Sequence, residues 1–196
     1  MITWMDTHSS FLAFIIILIL ALVIFYYTFE VRQQARYAHK TLDLEIRRIK
    51  NTGMNYCYLL NTEFSSNQSI FTDYINDRVK FEDTAVAFYN LNSFQSLKSD
   101  IWDKIKTKVP EYFSGNLMFE LVEYYEGIDI LVANTHLNNE QKYELVEAAF
   151  KSMYKCISLM EQEFKIELRK RDVFSYEDCT IRINLKTGEI TVTERS

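Results

Sequence analysis

Few side chains in this sequence have the types and spacing that chemistry needs. His8, His39 and His136 are the only histidines, and none stands in an H-x-x-x-H arrangement. Cys57, Cys156 and Cys179 are odd in number and widely spaced, with no C-x-x-C pair. A metal centre needs several such ligands within reach of one ion, so no metal site is expected. The four glycines (Gly53, Gly115, Gly127 and Gly188) are too scattered for a phosphate-cradling loop. No G-x-S-x-G elbow or dinucleotide fingerprint occurs either. Glu120, Glu123, Glu126 and Asp129 recur at helical spacing. Paired carboxylates can do acid–base work, but this set reads first as a solvated helix face. The expectation is a protein with no catalytic residue and no cofactor, not an enzyme.

Two basic groups remain. Lys98, Lys104, Lys106 and Lys108 flank Trp102, while Lys165, Arg169, Lys170 and Arg171 precede Phe174 and Tyr176. Cations beside aromatic rings suit a small anionic ligand such as a nucleotide. The second group, joined by Arg182 if its strand folds back, is the candidate anion site. It also suits the last turn of a helix, where the backbone dipole favours positive charge.

The element that dominates the chain is Phe11 to Phe29, nineteen consecutive uncharged residues. At about 1.5 Å of rise per residue this run covers a hydrocarbon core of roughly 30 Å. The leader MITWMDTHSS carries no Lys or Arg. The run is also longer than a secretory signal and lacks a small-x-small cleavage site. A retained single-pass signal-anchor is expected, with Trp4 at one interface and Tyr26 and Tyr27 at the other. Only Asp6 is charged before the span, whereas Arg32, Arg36 and Lys40 follow it closely. The positive-inside rule then places the N-terminus outside and the remainder in the cytoplasm of a bacterial-type inner (plasma) membrane. Arg32 and Arg36 are positioned for anionic headgroups. Unpaired cysteines fit a reducing compartment, and Asn67-Gln68-Ser69 is discounted as a glycosylation acceptor there.

Charge divides unevenly. The first 53 residues carry six basic and four acidic side chains, and the rest carry 16 and 23. An acidic body lacks the basic footprint of a nucleic-acid binder. One proline and four glycines in 196 residues favour long helices.

Five segments are expected: a short extracytoplasmic N-terminus (1–10), the transmembrane helix (11–29), a helical stalk (30–53), a cytoplasmic helical bundle (54–172) and a C-terminal β-hairpin (173–196). In the stalk, Val31, Ala35, Ala38, Leu42, Ile46 and Ile49 recur every three or four residues, as one helical face does. That stripe either pairs with further copies or packs on the domain below. A second helix is expected from Met54 through Phe64 and on towards Val79, with a weaker pattern over 83–92. Ser93 is read as the cap of a helix bearing Phe94, Leu97, Ile101, Trp102 and Ile105. Pro110 ends or restarts that element, and another helix follows Gly115 with Leu117, Leu121, Tyr124, Ile128 and Leu131 inside. The longest periodic run is Tyr143, Val146, Phe150, Met153, Ile157, Met160 and Phe164, capped by Asn138 or Asn139. The last segment alternates in Thr180–Leu185, turns at Lys186–Glu189 and alternates again in Ile190–Thr193, which is hairpin grammar. A lone hairpin is marginal, so it must dock on the bundle or on a neighbouring chain. The fold class is mostly α.

The stretch LLNTEFSSNQSIF (Leu59–Phe71), followed by SFQSLKSDIW (Ser93–Trp102), resembles a layout of bacterial single-span membrane proteins with an N-terminal anchor and a cytoplasmic helical domain. Glu63 and Asn67 fit its Leu-Leu-x-x-Glu-x-x-x-Asn helix, and Ser99 and Trp102 fit its Ser/Thr-x-x-Trp segment. The resemblance implies architecture and no function. The expected function is that of a non-enzymatic, membrane-anchored interaction protein that self-assembles as a homo-oligomer through span, stalk and domain. Its partners are the lipid bilayer, further copies, and a protein or a small anionic ligand. The alternative is a ligand- or partner-gated effector that breaches the membrane, an organisation similar to small membrane effectors of bacterial antiviral defence. The span has no polar residue between Phe11 and Tyr26 and no G-x-x-x-G, so a stable ion channel is disfavoured.

Overall fold

A scarcity of helix breakers has its full effect in α1, which runs from Ile2–Lys80 without interruption. In the computed structural model the described residues are 2–80, 94–133, 136–177 and 179–194, with side chains described from 11 to 78 in the first of these. The chain divides into two units, Met1–Arg48 and Ile49–Ser196. In the first, nearly every described side chain is exposed. Among the described residues, one helix is long and apolar enough to cross a membrane, with a mean hydropathy of 2.8 in its most apolar window.

The second unit holds the core. The helix does not break at Gly53, where the sequence suggested a boundary. A Cβ there would run into the Phe164 ring, so this glycine serves close packing and the helix tolerates it. From Cys57 onward α1 buries Cys57, Leu60, Phe64, Phe71, Tyr74 and Ile75, one face at three-and-four spacing.

Facing it are α2 (Asp100–Ile105), α3 (Gly115–Ala133) and α4 (Asn139–Phe164). The helix expected from Ser93 is shorter than its pattern suggested. Ser93 and residues 83–92 lie outside the described residues, Phe94–Ser96 is a single 3-10 turn, and the α-helix begins only at Asp100. Pro110 sits in a second 3-10 turn, Val109–Glu111. In α3, Leu117, Leu121, Tyr124, Ile128 and Leu131 are all buried. In α4, Asn138 caps through a reciprocal pair: its side chain accepts from Gln141 N at 2.8 Å, and Gln141 Oε1 accepts from Asn138 N at 3.1 Å.

The C-terminal segment is a three-stranded antiparallel sheet in the order β1 (Val173–Ser175), β2 (Cys179–Ile183) and β3 (Ile190–Glu194). The expected hairpin is β2–β3, with Ile181 opposite Val192; β1 adds a third strand, with Phe174 opposite Ile181. Phe174, Cys179, Ile181 and Ile183 face the core. The sheet docks on the bundle of its own chain. Gly188, at φ 72°, lies against the α4 backbone, where a Cβ would come within 2.6 Å of Lys151 Cα.

Candidate functional site

The polar residues on the buried face of α1 bind backbone. Glu63 is 2% exposed. Its carboxylate accepts from Ile101 N at 2.7 Å, Trp102 N at 3.5 Å and the Tyr125 hydroxyl at 2.5 Å. It thus supplies from another helix the acceptor that the first turn of α2 needs. Asn67 grips Lys98 on both sides: its Nδ2 donates to Lys98 O and its Oδ1 accepts from Lys98 N, each at 2.8 Å. Glu63 and Asn67 of the first motif therefore meet the Lys98–Trp102 stretch that holds the second, with Trp102 stacked on Tyr125 at 4.9 Å between centroids. Asn67 is fully buried, which removes it as a glycosylation acceptor. Trp102 is buried too, so the cluster of Lys98, Lys104, Lys106 and Lys108 has no open ring beside it.

The carboxylate row on α3 splits. Glu123, Glu126 and Asp129 are exposed, as a solvated face requires, but Glu120 is buried and pairs with Lys155 of α4. Burial also accounts for the cysteines. All three are buried and unbridged. Desolvation pushes the Cys57 thiol up to about 12, with the nearby Glu163 charge adding to it, and raises Cys156 well above its ordinary range.

The candidate anion residues are not in the last turn of a helix. α4 stops at Phe164, and Lys165 takes the left-handed conformation (φ 55°, ψ 48°). Glu161 then holds the departing chain, accepting from Leu168 N at 2.9 Å and pairing with Lys170 Nζ. Arg169, Lys170 and Arg171 lie in the irregular segment before β1, so the helix dipole does not explain them. Lys165 is exposed at the helix end, and Lys170 is spent on Glu161. Arg182 points outward from β2, opposite Val173. Its register partner stands two residues beyond Arg171.

Arg169 and Arg171 do come together. With Ser65, Gln68 and Ser69 of α1 and with Phe174 they line a cavity of about 170 Å3. The Arg171 guanidinium lies 4.4 Å from the centre of the Phe174 ring. Beneath it, Arg171 O accepts from Gln68 Nε2 at 2.8 Å and from the Tyr154 hydroxyl at 2.6 Å. Desolvation pushes that tyrosine up to about 12. The sequence pointed to the two arginines. It gave no sign of the α1 residues opposite them, whose small polar types on a helix face look like ordinary solvated positions.

In the first unit, Tyr26, Tyr27, Arg32 and Arg36 are exposed on α1, and the side chain of Trp4 lies outside the described residues. Thr28 turns its hydroxyl to Ile24 O at 2.7 Å, so its polar group is satisfied within the helix. Along the stalk, Ala35, Ala38, Leu42, Ile46 and Ile49 are exposed, Leu42 at 59% and Ile46 at 54%. His39–Asp43 at 3.2 Å and Glu45–Arg48 at 3.7 Å pair along the same helix.

Compared with protein-family models, with curated proteins and with solved structures, the chain matches none of them.

Proposed function

We propose that this chain is a membrane-anchored, non-enzymatic interaction protein that assembles with further copies through its span and stalk. The observation that carries the reading is the exposed stripe of Ala35, Ala38, Leu42, Ile46 and Ile49 on α1. Each Leu or Ile removed from water contributes about 1.5–3 kcal/mol, and a parallel copy offers a matching stripe at the same height. Anchoring both copies in one bilayer raises their effective concentration, so a short seam suffices. The charge asymmetry around Phe11–Phe29 supports a short N-terminus outside and the helical unit in the cytoplasm of a bacterial-type inner membrane. The non-enzymatic reading is supported by where the buried polar groups go: Glu63, Asn67 and Gln68 are committed to backbone and tyrosine partners.

The test is the mass of the full chain in detergent. The native protein is expected as a defined oligomer. The double substitution Leu42→Asp and Ile46→Asp should yield monomers with an unchanged helical signal, since two carboxylates per chain would be forced into the seam. An oligomer of unaltered mass in that variant would remove the stalk from the assembly.

A further inference from the structure

Arg169 and Arg171 both line one small cavity, and its six lining residues include no carboxylate. Neither arginine has an ion-pair partner among the described residues. An anion in the cavity is attracted by the positive charge of both side chains. We propose that this cavity is a receptor for a phosphoryl group, the anionic end of a small phosphorylated ligand.

Donor chemistry selects that class, and the volume is compatible with it. At roughly 30 Å3 per water, the cavity has room for about six waters. Drug-sized pockets run from about 300 to 1,000 Å3, so the cavity suits the small anionic end of a ligand better than a whole drug-sized molecule. A carboxylate offers two oxygens, whereas a phosphoryl group offers three strong acceptors. Two guanidinium forks and two hydroxyls match the larger number. Ser65 and Ser69 stand one helical turn apart. Their hydroxyls now bond to Asn61 O at 2.8 Å and Ser65 O at 3.4 Å. Each can turn outward for the loss of one such contact.

The site is also built in advance. Arg171 is fixed at three points: its guanidinium on Phe174, its Nε donating to Val173 O at 3.4 Å, and its carbonyl held by Gln68 and Tyr154. Asn61 Nδ2 likewise holds Arg169 O at 3.3 Å. The contacts on the Arg171 side chain lower its share of the ordering cost of binding. The site lies wholly within the unit Ile49–Ser196 and does not depend on stalk assembly.

The same chemistry is offered by a soluble phosphate ester and by a phosphomonoester headgroup. The experiment therefore uses the full chain in nanodiscs of neutral phosphatidylcholine titrated with inorganic phosphate by calorimetry, and in nanodiscs containing phosphatidic acid followed by melting. Saturable phosphate binding in neutral discs, at least tenfold weaker in Arg169→Gln/Arg171→Gln, supports a soluble ligand. A rise in melting temperature only with phosphatidic acid, lost in the same variant, supports a headgroup. No saturable response to either probe, or one that the double variant leaves unchanged, overturns the proposal. Arg169→Gln alone removes one fork and leaves the Arg171 tethers in place, so weaker binding at a native melting temperature separates loss of the site from loss of the fold.

Discussion

Glu63 shows how one residue can join two elements that local sequence keeps apart. Its carboxylate receives two backbone N–H groups of α2 and the Tyr125 hydroxyl, all away from water. Hydrogen bonds to a charged acceptor are each worth about 1.5–3 kcal/mol, and donors orphaned in the interior add their own desolvation cost. Glu63→Ala should therefore lower stability by roughly 3 kcal/mol. In a Trp4→Phe background, Trp102 emission should shift to the red as its stack on Tyr125 loosens. Glu63→Gln keeps an acceptor and should lose less. A denaturation midpoint equal to wild type in the alanine variant would mean that α2 is held by packing alone.

Among the elements, α4 was the most legible because every signal in it agrees. Its stripe keeps three-and-four spacing, Asn138 and Gln141 form a local cap, and no long-range contact is needed to see either. Strands β2 and β3 were legible for the same reason, through alternation on both sides of a Gly-containing turn. β1 was not: Val173–Ser175 is too short to show a period and follows a basic run. The end of α4 was misread because nothing between Phe164 and Val173 breaks helices. A lysine enters the left-handed region there, at a cost of about 1–2 kcal/mol, and the distant-acting Glu161 side chain holds the result. Half of the anion cavity was hidden likewise, since Ser65 and Ser69 acquire meaning only from residues a hundred positions away.

Docking of the sheet has its own test. At Gly188 a methyl group would meet Lys151 Cα at 2.6 Å and Phe150 O at 2.8 Å, both backbone atoms that cannot swing aside. Its positive φ adds a penalty for any L side chain. Gly188→Ala is expected to cost about 2–4 kcal/mol. Hydrogen exchange should speed up more than tenfold at Ile181 and Val192 before α3 responds. Unchanged protection in β2 would show that the sheet is held through Phe174 and Ile181 and not through its turn.

At the scale of the whole molecule, one unit exposes its side chains and the other buries an aromatic core. Tyr154 and Tyr176 are pushed up to about 12 and Tyr124 and Tyr125 further still, in each case first by desolvation. The sign follows from which state releases its proton first. Below pH 10 the hydroxyls are protonated in both states and contribute no pH dependence. Above it the unfolded chain ionises at the ordinary value near 10, while the folded one does not. Stability then falls by up to about 1.4 kcal/mol per pH unit for each buried tyrosine, and by less for the partly exposed Tyr176, until its folded value is passed. Urea midpoints should be level from pH 7 to about 9.5 and drop steeply beyond, with a shallower drop in Tyr154→Phe. A midpoint that stays level through pH 11 would mean that these phenols ionise alike in both states.

The three cysteines carry one practical consequence. Cys57, Cys156 and Cys179 are sealed inside the folded unit, two of them with thiols that resist forming the thiolate on which alkylation and exchange depend. The native chain is thus a silent background for thiol labelling. A cysteine placed anywhere on the exposed surface of α1 becomes the single address for a spin label, a fluorophore or a crosslinker, without first stripping the protein of its own sulfur.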